Sequence, residues 1–486
     1  MFDTGRRIAR NTAYLTTGKL LGDLCSFGFL VYFARIFGAG TLGKYAFAMA
    51  FAGVLAMFVS MGMNTYMARE VSKNRQDLHK YVSNGLVTQA LLAIVVWGVV
   101  CMYAVLVNTD PETRLIILLI GLYQTVYALS GVLRTQFVVH EQMQYVALIE
   151  FAHKLVILAF GSWAIWATKN AVFAVAVYPV GAIVMFLLAG VWSVKLYGWP
   201  GIRPDWLFIK RVLRHSAPFL MLMMLTIVFD RAGMILLAAL KGNVEAGLYS
   251  APDRLLVTAL QPVMMFGAAM IPVMSRLAYE DNGKLMSLYE KSVKLVVIFL
   301  LPLSTLWFLL AREVIVAVYG EAFSAAGDAM RVLCWLLLVN GLLVVTTTMM
   351  MANNYEQNLL KGKFVIAVMY IMAILLVIPM HGYLGLASVK LCAFVCLSLF
   401  SLHYLKRMMP LGKIWALVRG PGVACVVASA LYLYLSAFDV WVRAVAMVTS
   451  CFALMYLLKV IRLEDILYIR RVLKGSGARN SWAFDE

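Results

Sequence analysis

Two Asp-Arg pairs stand inside strongly apolar sequence: Asp230-Arg231 and Asp253-Arg254, in "FDRAGMILLAALKGNVEAGLYSAPDRL". Lys19, Asp23, Arg35, Glu150, Lys154 and Lys390 stand in similar surroundings. If these groups lie within a bilayer, each costs about 2.5–3.5 kcal/mol at mid-depth. All ten, dry and unpaired, would cost roughly 25–35 kcal/mol, against the about 5–15 kcal/mol that holds a typical fold together. They must therefore pair with one another, reach an interface, or line water. Arg35 and Lys390 lie within about two turns of a predicted helix end and read as snorkelling groups.

The chain around them is 486 residues long, 63% hydrophobic and 14% charged, with a mean hydropathy of +0.85. Soluble domains do not have this balance. Apolar runs of about twenty residues, the length of one bilayer crossing, recur throughout. We read fourteen, from 12–37 to 441–460. This predicts an all-α polytopic membrane protein. The first run is expected to be retained, because "MFDTGRRIARNTAYL" leads into no small-residue cleavage site.

Most of the 42 lysines and arginines fall in alternate loops, among them "AREVSKNRQDLHK", "KRVLR", "LKGK" and "IRRVLKG". The bias places those loops and both termini in the cytoplasm, so the net charge of +18 is mainly a topology signal. No nucleic-acid partner is expected, since no aromatic platform accompanies the scattered cations. The seven cysteines form no CxxC and read as buried apolar residues. No Walker loop, GxGxxG, HExxH or Ser-His-Asp set is present. We expect no metal, no cofactor and no enzymatic activity. His153 reads as a packed, hydrogen-bonded histidine.

The chain repeats itself at a separation of about 204: Ala34, Gly38, Gly43 and Tyr45 match Ala238, Gly242, Gly247 and Tyr249. Six apolar runs separate the copies, so they share an orientation. This predicts two six-helix lobes related by a pseudo-two-fold along the membrane normal. The expected division is 1–200 for the N-lobe, 201–410 for the C-lobe, 411–461 for two added helices and 462–486 for a cytoplasmic tail.

"ARIFGAGTLGKYAFAMAF" with "GMNTYMAREV", and the opening stretch followed by "PVMSRL", resemble the two halves of the polysaccharide-transport (Wzx-like) family of lipid-linked oligosaccharide flippases. That family belongs to the multidrug, oligosaccharidyl-lipid and polysaccharide exporter superfamily. The resemblance implies a MATE-like, V-shaped fold. It also implies movement of undecaprenyl-diphosphate-linked oligosaccharide across the bacterial inner membrane by alternating access, for surface polysaccharides such as O-antigen of lipopolysaccharide. Membrane lipids, and a polysaccharide polymerase with its chain-length machinery, are the implied partners. The last two helices look like those that form a lipid-tail groove in the peptidoglycan-precursor flippase.

A diphosphate needs cationic partners in such a cavity, and arginine's planar fork suits phosphate oxygens. Arg231, Arg254, Lys154 and Lys19 are the candidate substrate ligands. Asp230, Asp253, Asp23 and Glu150 are the candidate counter-ions or coupling groups. Counting 1.5 Å per residue, Lys19 and Glu150 lie roughly 10–12 Å above the inner helix ends, and Asp23 and Lys154 roughly 16–18 Å. Were their helices neighbours, Lys19 would face Glu150 and Asp23 would face Lys154, with i,i+4 pairing inside each helix as the competitor. By the same count Asp230 could meet Arg254, and Arg231 could meet Asp253. Gly22, Gly28, Pro218, Pro252, Pro262 and Pro272 weaken their helices and suit rocking.

Two other functions compete. A proton- or sodium-coupled drug exporter of the same fold wants an acidic cavity, and the candidates here are mostly basic. A membrane-embedded polymerase or ligase wants a long outer loop with catalytic residues, and the longest, near 312–324, leaves little room.

Overall fold

The computed structural model describes residues 2–106, 110–405, 411–458 and 460; the expected tail at 462–486 lies outside them. In a bilayer no water satisfies the backbone, so apolar sequence folds as helix. The principal helices are α1 (Phe2–Ser60), α2 (Met63–Lys73), α3 (Leu78–Leu106), α4 (Pro111–Val139), α5 (Met143–Thr168), α6 (Ala171–Tyr197), α7 (Trp206–Ile227) and α8 (Gly233–Lys241). They continue with α9 (Asn243–Glu280), α10 (Asn282–Leu309), α11 (Ala311–Tyr319), α12 (Ala326–Leu333), α13 (Trp335–Ala352), α14 (Glu356–Leu405), α15 (Leu411–Tyr434) and α16 (Val440–Leu457).

Among the described residues twelve helical segments are long and apolar enough to cross a membrane. Two are double, bent at Gly38 in α1 and at Gly382 in α14, which makes fourteen crossings, as the apolar runs predict. The end carrying the basic loops is called the inner end below. The repeat is present in the backbone as well as in the letters. Gly38 has φ 74° and ψ −177°, and its counterpart Gly242 has φ 87° and ψ 176°. Both turns need a left-handed residue without a Cβ.

The cores show how the lobes meet. One apolar cluster joins Phe29, Phe33, Leu42 and Ile120 of the first lobe to Ala251, Ile315, Tyr319 and Phe323 of the second. Another sets Ala46 and Ala50 against Leu237, Tyr249 and Leu260. These shared clusters lie toward the outer ends. Toward the inner end the first lobe has its own core of Met67, Val71, Phe137 and Ile149. A separate cluster, including Met274, Tyr289 and Val297, belongs wholly to the second lobe and the two added helices. The lobes thus share cores outside and have separate cores inside, where the contact between them is made by α7 packing on α2 and α3. α15 and α16 pack on each other and lie against α10, where the Cys425 and Cys451 thiols stand 3.5 Å apart.

The expectation of uniformly buried cysteines is corrected at Cys392 and Cys396, which are exposed on α14. An apolar solvent imposes no cost on a surface thiol, so a membrane protein has no need to bury one.

Candidate functional site

In the first lobe α1 and α5 are close neighbours, and Lys154 Nζ lies 2.6 Å from Asp23 Oδ1, each side chain under 20% exposed. Gly22 makes room for this contact: a Cβ there would meet the Lys154 side chain at 2.7 Å. The second rung differs from expectation. Glu150 Oε1 is held at 2.7 Å by Arg134 of α4, whose guanidinium also lies 4.7 Å from the centre of the Tyr127 ring. Lys19 is exposed and has no ion pair among the described residues. Arginine on a packed neighbouring helix reaches Glu150 with less loss of side-chain freedom than an exposed lysine would. His153 is buried beside this group, stacked on Tyr123 at 5.7 Å and 7°. Neither ring nitrogen has a hydrogen-bond partner, which corrects the hydrogen-bonded reading: the ring is held by aromatic packing against Tyr123 and Tyr127 instead.

In the second lobe neither expected Asp-Arg cross-pair forms. Asp253 instead pairs at 2.6 Å with Lys390, which is only 7% exposed. Its ammonium lies 5.8 Å from the centre of the Tyr249 ring, whose hydroxyl donates to Asp253 at 3.5 Å. Lys390 therefore does not snorkel. It points inward from α14 and neutralises the acid of α9.

Asp230 and Arg231 sit in a π-helical turn, Val228–Ala232, between α7 and α8. Such a turn carries one residue more than an α-turn and often marks a functional position. Asp230 is exposed and Arg231 half-buried. The cations acting on Asp230 are Lys390, Arg231 and Lys363. Phe229 anchors the turn, with its ring 5.5 Å from that of Tyr370 on α14.

Arg254 occupies a different place. It is half-buried, about 16 Å inside the outer end of α9, and its Nε has no partner. Its charge reaches the phenols of Tyr45, Tyr123 and Tyr178 in the first lobe and of Tyr319 in the second. Tyr45 and Tyr178 share a 2.7 Å hydrogen bond. Arg254 thus stands on α9, which packs along α1 of the first lobe. Arg35 strengthens the junction of the lobes by donating to the backbone carbonyls of Val318, at 2.7 Å, and Ala317.

The buried acids are therefore matched by Lys154, Arg134 and Lys390. Arg231, Arg254 and the half-buried Lys363 have no ion pair among the described residues. Sequence reasoning passed over Lys363 because it begins the apolar run 363–380 and counted as loop. The signal was its placement on the face of Tyr370, seven residues and two turns away.

The seventh crossing serves both lobes. α8 packs on α9 and α14, whereas α7 packs on α2 and α3 of the first lobe. His215 stacks on Tyr66 at 5.9 Å and 19°, and Phe208 meets Tyr81 edge-on at 4.9 Å. The backbone N–H of Asp205 donates to Asn84 at 2.7 Å, and the Asp205 carboxylate caps α7. Pro218 and the π-turn lie between these two attachments.

A family model described as "Polysaccharide biosynthesis protein" matches residues 8–278. No protein of curated function matches the sequence. Among solved structures, lipid II flippase MurJ in an inward closed conformation superposes with a TM-score of 0.74 at 13% identity, covering 94% of this chain and 99% of that one. An inward-facing multidrug resistance MATE family transporter of the MOP superfamily gives 0.63 at 14% identity, over 85% and 99%. A MOP superfamily transporter from Pyrococcus furiosus, described as having a binding pocket of reverse polarity, gives 0.55 at 12%, over 84% and 96%. These likenesses establish the fold: two six-helix lobes with two further helices at the C-terminal end.

Proposed function

The chain belongs to the polysaccharide biosynthesis protein family, and from that premise we propose that it is a flippase for undecaprenyl-diphosphate-linked oligosaccharide. It loads at the cytoplasmic face of the bacterial inner membrane and releases outside, in the service of surface polysaccharide assembly. The observation that carries the reading is the sorting of charge. Asp23, Glu150 and Asp253 are already neutralised, while Arg231, Arg254 and Lys363 have no ion pair among the described residues. A diphosphate headgroup supplies the missing negative charge, and arginine can take it bidentately. The same excess of cations disfavours a cationic drug.

Cores shared at the outer ends and separate at the inner ends suit a loading state. Release then requires the outer junction to part while the inner halves approach. The π-turn and Pro218 in the seventh crossing, with Pro252, Pro262 and Pro272 in α9, supply places to bend. An apolar groove lined by Leu301, Thr305, Trp335, Cys425, Val426 and Leu433 has the character an isoprenoid tail requires.

The test is reconstitution. Purified protein in liposomes carrying a fluorescent undecaprenyl-diphosphate glycan should expose the label to an impermeant quencher faster than protein-free liposomes do. An unchanged rate from folded protein would refute the proposal.

A further inference from the structure

The linker between the lobes and the first turns of α7 present a surface that the transport reading does not use. Trp199, Ile202, Trp206 and Leu207 are 67%, 65%, 63% and 81% exposed. On α7, Leu207, Lys210, Arg211 and Arg214 follow an i, i+3, i+4, i+7 spacing, so they share one face; all four are exposed. The opposite stripe, Ile209, Val212 and Ser216, is buried. Arg203 adds a further exposed cation, while its backbone N–H donates to Ser83 at 3.0 Å. The cations Arg203, Lys210, Arg211 and Arg214 have no ion pair among the described residues.

Depth decides what this face meets. The helix Trp206–Lys241 has 36 residues, about 54 Å at 1.5 Å each, well beyond the ~30 Å hydrocarbon layer. Arg214 lies about 40 Å from Lys241 along the axis. If Lys241 marks the outer limit of the headgroups, a bilayer about 40–45 Å thick ends near Arg214 and Arg211, and Lys210 and Trp206, about 46 and 52 Å from Lys241 along the axis, come to the inner headgroup layer where the helix tilts or bends, as it can at Pro218. Tryptophans prefer that level, and its lipids include anionic ones. Loop cations that only set topology need no common face. These share one, bordered by exposed Trp199 and Trp206.

We infer that this face binds the headgroups of anionic phospholipids of the inner leaflet, through Lys210, Arg211, Arg214 and Arg203, with Trp199 and Trp206 seated at the interface. A lipid bound there would brace the inner half of the seventh crossing against the first lobe, beside the chain segment that joins the lobes. The inference stands apart from the transported substrate.

The experiment is native mass spectrometry of the full-length protein titrated separately with phosphatidylglycerol, phosphatidylcholine and undecaprenyl diphosphate. K210Q/R211Q/R214Q is compared with R276Q/K284Q/K361Q, which removes equal charge from exposed inner positions of the second lobe. At about fivefold per cation near an anionic surface, the first variant should bind phosphatidylglycerol about a hundredfold more weakly and undecaprenyl diphosphate as before. The control should retain its phosphatidylglycerol affinity. Equal losses in both variants, or no loss in the first, would overturn the inference. So would a loss confined to undecaprenyl diphosphate, which would make the face a substrate entry site.

Discussion

Gly43 and Gly247 pack backbone against backbone where the lobes join. A Cβ on Gly43 would stand 1.7 Å from the carbonyl oxygen of Asn243, and one on Gly247 would stand 1.8 Å from that of Ala39. The same separation of 204 relates Gly43 to Gly247 and Ala39 to Asn243. The two contacts are therefore images of each other, and the pseudo-two-fold axis passes between them.

No side chain fits at either glycine while the outer ends touch. Gly43→Ala and Gly247→Ala should therefore drive the outer turns apart. A spin-label pair spanning the two turns, measured by pulsed dipolar spectroscopy, should report a longer mean distance in either variant. An unaltered distance in folded protein would show that the junction yields elsewhere.

The Lys390–Asp253 pair is the more deeply buried of the cross-helix pairs. Lys390→Met strands a carboxylate among apolar residues and should destabilise the protein by about 3–5 kcal/mol. Adding Asp253→Asn should recover most of that loss. Thermal unfolding in detergent measures both. Equal stability of the single and double variants would mean that no stranded carboxylate causes the loss.

Lys154 and Asp23 allow structure to be separated from transport. Lys154→Met should cost up to about 3 kcal/mol, and the Lys154→Met/Asp23→Asn double variant should regain stability. If the ammonium also holds a phosphate, the double variant will remain slow in the liposome assay. Recovery of both would assign the pair to stability alone.

Arg231→Gln, Arg254→Gln and Lys363→Gln break no ion pair of the described residues, and Asp230, the acid nearest Arg231 and Lys363, is exposed, so their stability cost should stay within about 1 kcal/mol. Each should nevertheless weaken undecaprenyl diphosphate binding by about tenfold or more, with less effect on undecaprenyl monophosphate. Equal losses for the two lipids would remove the diphosphate argument.

At the inner end, hydrogen bonding from the backbone N–H of Phe208 holds the Asp205 carboxyl below its ordinary value of 3.8. A lowered acid stabilises the fold above its unfolded value, and that contribution fades as pH falls through the folded one. Hydrogen exchange of the first turn of α7 should thus show cap-dependent protection unchanged from pH 8 to 5 and loosening only below about 4. Asp205→Ala should show low protection throughout.

Fourteen crossings, the repeat and the Asp23–Lys154 contact were legible because each follows from length, spacing or depth along an axis. The partners of Glu150 and Asp253 were not, because sequence gives the height of a residue on its helix but not the direction in which that helix turns it. The π-turn compounds this at Asp230 and Arg231. Its extra residue rotates everything beyond it by roughly 100° relative to an unbroken helix, which undoes the level pairing with Asp253 and Arg254. Lys390 was misjudged because distance to a helix end says nothing of whether the side chain faces lipid or protein.

The divided allegiance of the seventh crossing also bears on how the chain could be taken apart. A cut between Gly198 and Asp205 would put α7 on the C-terminal fragment, although its packing partners α2 and α3 lie on the N-terminal one. Each piece would emerge from synthesis missing part of its own surface, and that part would be carried by the other. Two fragments made from separate messages would thus hold a mutual grip, and find each other without a peptide bond between them.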